Sequence, residues 1–409
     1  MLFYLDTARM GQACPAAMQV QFEYALLAAD DPSLYSLRFL REGVADWPLD
    51  VQHEFPALCR WRGTDELQQR FAMACGVPYS NRIFLANQAA RLVRIAARVM
   101  FRQSTHVLTI DLNWPTWQSI VAEEAQRHGR QVSRAMIAEP ILKWNWSAED
   151  IIQTLVRQFR EQRCDALFLP AVSNLGINLP VEELIRRLRQ EAELRFVLLD
   201  AAQAFGQLPV TRLTDSCDVM ITGCHKWLGA HLPMGVAIAG NALAAEQMRC
   251  VMTGPHYSSS CTDPLLQLTE ELQANRISRY SETVNILPML SANAVLQDSP
   301  SWQAALTPDF DQRQLNAEQV AECLADTSWR PIRLDESVRS GILLARSKEG
   351  STGAVEPETL QANFHKQGVA LSAYPDGLLR LSMPSQKFES DQIQRLTTAL
   401  RSASQSLQP

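Results

Sequence analysis

The chain has 409 residues, of which 46% are hydrophobic and 20% charged, so it is long enough to bury more than one hydrophobic core. Its 44 acidic and 38 basic side chains leave a formal charge of -6 without a basic cluster, which argues against nucleic acid or an anionic membrane as partner. No apolar stretch reaches the roughly 18 residues of a membrane span, and residues 1–11 lack the pattern of a secretory signal. We therefore expect a cytoplasmic enzyme that acts on a small molecule.

Nine cysteines are spread singly along the chain without a CxxC pair, and seven histidines are equally dispersed. Neither a disulfide framework nor a metal site is expected from this spacing. The fingerprints GxGxxG and GxxxxGK[ST] are also missing from the sequence. The commonest dinucleotide-binding and P-loop interpretations of a large α/β chain are thereby excluded.

Short apolar runs alternate with amphipathic stretches between residues 83 and 239, which is the pattern of an α/β fold. Because the last run follows its predecessor after a short connection, its strand is expected to be antiparallel, whereas the others form a parallel sheet covered on both faces. The predicted strands are 83–86, 106–110, 166–170, 196–200, 218–222 and 235–239, and the predicted helices are 88–101, 117–128, 147–162 and 181–193.

After about residue 250 the pattern changes to a loop, TGPHYSSSCTDP, followed by a predicted helix and a mixed α+β tail. The tail predicts a second, smaller domain. We divide the chain into an N-terminal segment that packs on the domains (1–20), a large domain (21–260), a connecting segment (261–285) and a small C-terminal domain (286–409). Within the last of these, a helix is predicted at 286–298, strands at 329–334, 341–345, 369–372 and 378–382, and a closing helix at 390–402.

The segment FVLLDAAQAFG places Asp200 at the end of a buried strand, and Lys226 follows 26 residues later in CDVMITGCHKWLG. A carboxylate and an amine just beyond parallel strands both face the crevice in which α/β sheets bind ligands. Pyridoxal 5'-phosphate requires this pair, because a lysine forms the Schiff base and a carboxylate keeps the ring nitrogen protonated. Either residue alone could be structural; together, in this order, they favour the cofactor.

Five segments together resemble the class V aminotransferase group of fold-type I pyridoxal-phosphate enzymes, which also contains cysteine desulfurases, kynureninases and isopenicillin N epimerases. The resemblance implies an α/β fold with a mostly parallel seven-stranded sheet in a large domain and a smaller C-terminal α+β domain. It also implies pyridoxal 5'-phosphate as cofactor and a homodimer whose second subunit completes the active site, with segment 261–285 near the interface. The segments are YLDTA, SNLGINLP, DAAQAFG, GCHKWLG and LLRLSMP.

Carried over by this resemblance, Lys226 is the catalytic Schiff-base lysine and Asp200 the partner of the pyridinium nitrogen. Gln203 donates to the ring hydroxyl oxygen, His225 lies near the phosphate and Asn174 contacts the ring hydroxyl. The alternatives stay open for the last three, since a glutamine or asparagine in a turn and a lone loop histidine are often structural.

The phosphate needs a helix N-terminus, and IFLANQAARLV provides one after a strand, with Asn87 as cap and Gln88 and Ala89 in the first turn. This turn departs from the glycine- and threonine-rich one that is usual in the group. Thr222 is a further candidate phosphate ligand. The resemblance also implies that Thr283, in SRYSETVNI, reaches the phosphate site of the other subunit.

Aromatic stacking on the pyridine is assigned to Trp114 in LNWPTWQ, with Trp117 as the alternative. Arg380, in LLRLS, matches the residue that clamps the substrate α-carboxylate, because its planar fork binds a carboxylate through two hydrogen bonds. An arginine embedded among apolar strand neighbours also needs an anionic partner.

The leading prediction is an aminotransferase-like enzyme that forms a Schiff base with a small or modified amino acid, in which Lys226 moves a proton from Cα and Arg380 holds the carboxylate. A lyase, by β-elimination or kynureninase-like cleavage, or an epimerase is the alternative, and a non-catalytic regulatory protein is the least favoured. A cysteine desulfurase is excluded on the ground that no cysteine follows Cys323 to serve as a nucleophile on a loop before Arg380.

Overall fold

The computed structural model describes residues 2–30, 36–44, 47–253, 261–276, 284–298, 302–325, 327–348 and 356–405. The chain begins with a short strand and then forms helices that lead up to the first strand of the large sheet. These elements are β1 (Phe3–Tyr4), α1 (Pro15–Asp30), α2 (Leu37–Glu42), α3 (Leu49–Glu54) and α4 (Thr64–Cys75).

A seven-stranded sheet forms the centre of residues 47–253, and its order is β2-β8-β7-β6-β5-β3-β4. Only the contacts of β8 with β2 and with β7 are antiparallel; the other neighbours run parallel. The fold class expected from the sequence is thereby confirmed, including the antiparallel last strand. The strands are β2 (Ile83–Ala86), β3 (His106–Ile110), β4 (Gln131–Ala135), β5 (Ala166–Pro170), β6 (Phe196–Asp200), β7 (Val219–Gly223) and β8 (Gly235–Ala239).

Helices cover both faces of this sheet. Its central strands β5, β6 and β7 are therefore buried along their whole length. One face packs against α5 (Ala89–Gln103) and α6 (Pro115–Arg127). The opposite face packs against α4, α8 (Ala148–Glu161) and α9 (Val181–Glu191). The helices are α5 (Ala89–Gln103), α6 (Pro115–Arg127), α7 (Ala138–Trp144), α8 (Ala148–Glu161), α9 (Val181–Glu191), α10 (Thr211–Ser216), α11 (Ala242–Thr253) and α12 (Pro264–Gln273).

The C-terminal part forms a four-stranded antiparallel sheet of order β12-β13-β10-β9 with helices against it. The first of its helices, α13, packs instead on α1 and α4 of the preceding part. The domain boundaries stay a prediction. The elements are α13 (Leu287–Asp298), α14 (Trp302–Cys323), β9 (Trp329–Ile332), β10 (Ile342–Ser347), α15 (Pro357–Lys366), β11 (Val369–Ala370), β12 (Ser372–Tyr374), β13 (Leu378–Ser382) and α16 (Ser390–Gln405).

The N-terminal segment joins the C-terminal part to the strand ends of the large sheet. Strand β1 pairs in parallel with β11, and Phe3 is buried in the C-terminal core. Further along, the Gly11 amide donates to the His225 carbonyl at 2.7 Å. A Cβ atom at Gly11 would stand 1.9 Å from the Lys226 carbonyl oxygen, so only glycine allows this approach. The segment therefore runs directly beside the predicted Schiff-base lysine.

Across the described ranges, no helix combines the length and the apolar character that crossing a bilayer requires.

Candidate active site

A cavity of about 610 Å³ lies where the parallel strands end, between the large sheet and the C-terminal sheet. Strands β5, β6 and β7 contribute their last residues, and β12 and β13 close the opposite side. The topology therefore brings together residues that are far apart in the sequence, as expected at the carboxyl edge of a parallel sheet. The predicted site residues that line it are Ala89, Trp114, Asn174, Asp200, Gln203, His225, Lys226 and Arg380.

Asp200 and Lys226 are both buried at this edge. Burial raises the pKa of Asp200 to about 6, while a hydrogen bond from the Ala202 amide at 2.8 Å and the charge of Lys226 act in the opposite direction. Burial also lowers the pKa of Lys226; Asp200 opposes that change and Arg380 adds to it. The neutral amine, which is the nucleophilic form, is thereby more populated than in a free lysine.

Gln203 is held at both ends of its side-chain amide. Its Nε2 donates to the Ala8 carbonyl oxygen at 2.8 Å, and its Oε1 accepts from the Trp227 Nε1–H at 2.7 Å. Because Nε2 carries two hydrogens, one donor remains for the cavity that Gln203 lines.

The imidazole of His225 lies over the backbone of Gly223. A Cβ atom at Gly223 would stand 3.0 Å from the His225 Cε1, so a side chain there would push the ring away. Burial, assisted by the charge of Lys226, lowers the pKa of His225 to about 4, which leaves the ring neutral at pH 7. Its buried Nδ1 has no hydrogen-bond partner within the described part of the chain.

The N-terminus of α5 is capped by Gln88, one residue later than predicted. The buried carboxylate of Asp263 accepts from the Asn87 amide at 3.0 Å, from its Nδ2 at 3.2 Å and from the Gln88 amide at 3.4 Å. The same carboxylate caps α12. Only Ala89 of the three predicted residues lines the cavity. Asp263 was not foreseen, since a lone Asp-Pro pair in the sequence indicates only a helix start.

Thr222, a further predicted phosphate ligand, is not among the residues that line the cavity. Thr222 is fully buried, and its hydroxyl donates to the Ala201 carbonyl oxygen at 3.3 Å. Thr283 lies outside the described residues. Their roles stay predictions.

Both tryptophans of the segment after β3 line the cavity. Trp114 directly precedes α6 and is 46% exposed, whereas Trp117 is 8% exposed and packs into the core between the sheet and α5. The exposed ring is free to cover a ligand. Trp114 therefore remains the preferred candidate for the stacking residue, ahead of Trp117, and this role stays a prediction.

Arg380 is 3% exposed, and its guanidinium is fixed on three sides. Its Nη1 donates to the Asn174 carbonyl oxygen at 3.1 Å, and its Nη2 donates to the Ser372 hydroxyl at 3.0 Å and to Asp6 Oδ1 at 3.4 Å. The guanidinium carbon also lies 5.5 Å from the centre of the Tyr374 ring. An arginine held in this way presents a rigid cation to the cavity.

Asp6 and Ser372 were not predicted as site residues. The Ser372 hydroxyl donates to Asp6 Oδ1 at 2.5 Å. Burial raises the pKa of Asp6, and its hydrogen bond from Ser372 and the charge of Arg380 oppose this effect. Asp6 belongs to the segment YLDTA that carried part of the resemblance, so a signal for it was present. Ser372 carried none, because a serine in a short strand is unremarkable.

The free groups of the cavity suit pyridoxal 5'-phosphate. Asp200 and the buried Nδ1 of His225 can accept or donate to a ring and its substituents, and Lys226 provides the amine. A cavity of about 610 Å³ falls within the range of small-molecule sites. The buried donor set thus fits a cofactor that carries a pyridinium, a ring hydroxyl and a phosphate.

Comparison with known proteins defines the family. Residues 64–300, more than half of the chain, match the family model described as aminotransferase class-V. A probable cysteine desulfurase of Pasteurella multocida (strain Pm70) is 28% identical over 200 residues, which are 46% of this chain and 41% of that protein. The chain thus matches less than half the length of this curated relative.

Solved structures share the fold over nearly the whole chain. The cysteine desulfurase CsdA of Escherichia coli superposes with a TM-score of 0.70 at 16% identity, covering 98% of this chain and 94% of that one. The cysteine desulfurase of Thermococcus onnurineus NA1 also gives 0.70, at 14% identity with 99% and 95% covered. The cystine C-S lyase C-DES, in complex with cysteine persulfide, gives 0.67 at 15% identity with 98% and 97% covered.

The predicted function, an aminotransferase-like enzyme that is not a cysteine desulfurase, is contradicted by these relatives. A cysteine desulfurase was excluded because no cysteine follows Cys323. Such a cysteine would accept the sulfur after it leaves the substrate, so its absence does not bear on the cleavage of the carbon–sulfur bond. The roles predicted for Lys226, Asp200 and Arg380 concern Cα of the substrate and its carboxylate, so these residues are compatible with carbon–sulfur cleavage. The expected family and cofactor are confirmed: the chain belongs to the aminotransferase class-V family of fold-type I enzymes, which use pyridoxal 5'-phosphate.

Proposed function

We propose that this protein cleaves the Cβ–Sγ bond of cysteine or a related amino acid. Carbon–sulfur cleavage is the reaction that the names of its desulfurase and C-S lyase relatives describe. One observation carries the proposal. The amine of Lys226, the carboxylate of Asp200 and the guanidinium of Arg380 face a single cavity in a chain whose curated relative is a probable cysteine desulfurase.

The cofactor end of the cavity is assigned to the strand-end residues. When bound, pyridoxal 5'-phosphate supplies an electron sink for a carbanion at Cα of the substrate. Asp200 holds the proton on the ring nitrogen, and the positive charge of that nitrogen in turn favours the ionised form of its carboxyl. Gln203 donates to the ring oxygen. The neutral ring of His225 and the first turn of α5 at Ala89 lie in the places assigned to the phosphate.

The substrate end is assigned to Arg380. Its buried guanidinium binds the α-carboxylate, and the hydrogen bonds that it donates to the Asn174 carbonyl oxygen and the Ser372 hydroxyl hold it in one position. With the carboxylate fixed there, Cα lies between Arg380 and Lys226.

Lys226 performs the proton transfer. In its neutral form, which its lowered pKa favours, Nζ accepts the proton from Cα. Loss of that proton prepares the adjacent Cβ–Sγ bond to break, and the sulfur leaves with the bonding electron pair. The protonated Nζ can then return its proton to carbon or pass it to the departing sulfur.

The reaction is tested with purified holoprotein, L-cysteine and L-cystine. Release of sulfide from L-cysteine, or of cysteine persulfide from L-cystine, is the expected result over many turnovers, with equal amounts of pyruvate and ammonia formed by hydrolysis of the remaining three-carbon fragment. Lys226→Ala serves as the inactive control. Turnover that requires a 2-oxo acid and releases no sulfur would contradict the proposal, because the cofactor would then be carrying amino groups.

We also propose a homodimer, as the family resemblance implied. Met18, Phe22 and Leu26 form an exposed apolar stripe on α1 at intervals of four residues, with exposed fractions of 52%, 61% and 47%. A helix with apolar residues on both faces is normally buried between two packing partners, and in the proposed dimer the second subunit covers the exposed face. Light scattering should give twice the chain mass of 45.9 kDa, and Phe22→Glu should shift it toward the monomer. A monomeric wild-type protein with full activity would refute this proposal.

A further inference from the structure

We infer that Trp227 is a positioning residue that determines which way the side-chain amide of Gln203 faces, and that this orientation makes Gln203 a hydrogen-bond donor to the cofactor ring. The inference depends on the cofactor of the family and on the predicted place of Gln203, but not on the sulfur chemistry proposed above. Trp227 directly follows Lys226 in the chain.

The two contacts of the Gln203 amide permit one orientation only. An indole N–H can only donate, so the atom that faces Trp227 at 2.7 Å must be the acceptor Oε1. A backbone carbonyl can only accept, so the atom that faces Ala8 at 2.8 Å must be Nε2. Turning the amide by half a revolution would set donor against donor and acceptor against acceptor. Both bonds are buried, where unmade hydrogen bonds are costly.

Trp227 is itself held firmly. It is 8% exposed and packs with Ala8 and Ile342 in a small apolar cluster. The guanidinium carbon of Arg313, on α14, lies 5.4 Å from the centre of its ring, a cation–π contact with a side chain that is 6% exposed. The indole N–H therefore points in a direction that elements of the C-terminal part impose.

The backbone of Gln203 is fixed as well. Gln207 Nε2 donates to the Gln203 carbonyl oxygen at 2.6 Å, and Gln207 Oε1 accepts from the Gly341 amide at 2.6 Å. Main chain and side chain of Gln203 are thus tied to three separate segments: the N-terminal segment, the loop that follows Lys226 and the start of β10. Because of these contacts, Gln203 cannot flip its amide by changing rotamer without losing buried hydrogen bonds.

The consequence is chemical. With Oε1 occupied by Trp227, the free hydrogen of Nε2 is the polar group that Gln203 can offer to a ligand. With the cofactor bound, a donor at its ring oxygen would stabilise negative charge there and would lower the pKa at which the cofactor loses its proton. A flipped amide would instead present Oε1 and repel that charge. Trp227 thereby lowers the pKa at which the visible absorption of the bound cofactor titrates.

The test is the pH titration of that absorption in substrate-free holoprotein. Trp227→Phe keeps an aromatic ring beneath Arg313 and removes the N–H, and we expect the midpoint to rise by about one pH unit, the scale of one hydrogen bond to a charged group. Gln203→Leu should raise it by at least as much. In the Gln203→Leu background, Trp227→Phe should have no further effect, because the tryptophan acts through the glutamine.

Trp61→Phe is the matched control. Trp61 is 1% exposed, and its Nε1 donates to the Phe39 carbonyl oxygen at 2.9 Å, away from the cavity. Its loss should cost stability without moving the titration midpoint. Trp227→His retains an N–H at the position and should titrate close to wild type, which also provides the comparison with Gln203→Leu if the phenylalanine variant does not fold.

Three results would overturn the inference. They are a wild-type midpoint in Trp227→Phe, an equal shift by Trp227→Phe in the presence and absence of Gln203, and a midpoint in Trp227→His that matches Gln203→Leu. Since no substrate is present, the outcome does not depend on whether the protein cleaves carbon–sulfur bonds. Failure of that reaction would leave the titration unaffected.

Discussion

The two ends of the cavity hold buried charges in different ways. At the strand ends, burial raises the pKa of Asp200 and lowers that of Lys226, and the Asp200 carboxylate accepts a hydrogen bond from the Ala202 amide. At the far end, Arg380 is bonded to Asp6, Ser372 and the Asn174 carbonyl oxygen. Within the described residues, the first end has few hydrogen bonds on its buried ionisable groups, whereas the guanidinium at the second end is held by several.

This difference follows from the chain path. Asp200 and Lys226 follow neighbouring strands, so one local unit of the fold sets their positions. Asp6 and Arg380 are 374 residues apart and meet only because β1 joins the C-terminal part. In the proposed function, the strand end is the chemically active end and the arginine end is the binding end. The following variants test that division.

Lys226→Ala should have the largest effect, because it removes the nucleophile and the proton carrier together. Turnover of cysteine should fall by roughly three orders of magnitude or more. The visible absorption that borohydride bleaches in the wild type should be absent, as measured by spectroscopy before and after reduction. Persistent colour that borohydride removes would place the Schiff base on another lysine.

Asp200→Asn tests the electrostatics of the active end in cofactor-free protein. The pKa of Asp200 is raised from 3.8 to about 6, so the folded chain binds this proton more tightly than the unfolded chain. Its stabilising contribution is complete below about pH 4 and is lost as the pH rises through about 6. Relative to wild type, the variant should thus gain up to roughly 3 kcal/mol between pH 4 and pH 7.

Urea unfolding at a series of pH values measures that difference. The lowered pKa of His225 gives a pH dependence of the opposite sign, since its contribution is present above about pH 6.5 and is lost as the pH falls through about 4. Taking the difference between variant and wild type removes this second dependence. A difference that stays constant with pH would show that Asp200 is not buried as the structure describes.

Arg380→Lys tests the binding end. Lysine keeps the charge and loses the planar fork, so kcat/KM for cysteine should fall roughly 10- to 100-fold while the cofactor absorption persists. Arg330→Lys, an exposed position on the same sheet, is the control and should behave like wild type. Loss of cofactor binding in Arg380→Lys would mean that the two ends are not separate in function.

Asp6→Asn should have the smallest effect. Asparagine can still accept from Ser372 and Arg380, so the change removes the charge that holds the guanidinium and leaves its geometry in place. We expect KM to rise about two- to tenfold with little change in kcat. Asp65→Asn, at an exposed position, controls for net charge. A fall in kcat with unchanged KM would assign Asp6 to the chemical step instead.

Most of the sheet could be predicted because its strands are continuous apolar runs. Strand β4 was missed, since its sequence QVSRA is largely polar and it lies at the sheet edge, where burial imposes no pattern. Helix α1, which spans the predicted boundary between segment 1–20 and the large domain, was not predicted, because its apolar residues occur on both faces and yield no amphipathic period. Long-range packing, not local sequence, accounts for both elements.

The site divides in a similar way. Eight predicted residues line one cavity, because the carboxyl ends of parallel strands lie at the same edge of a sheet. Asp6 lies in the YLDTA segment that the resemblance marks, but its contacts with Ser372 and Arg380 were not predicted. The hydrogen bonds of Asp263 with the amides of Asn87 and Gln88 were not predicted either. Each of these contacts joins segments that are distant in the sequence, and no local pattern records such a pairing.

By itself, the sequence determined the α/β class, the family and the cofactor, because these depend on local apolar runs and on the order of short motifs. It did not determine the reaction, since the absence of a cysteine after Cys323 does not show which substrate bond is broken. The tertiary structure alone decided which groups are buried, with the resulting pKa changes, and which way the Gln203 amide faces. These properties arise from contacts between distant segments, and only the folded chain brings those segments together.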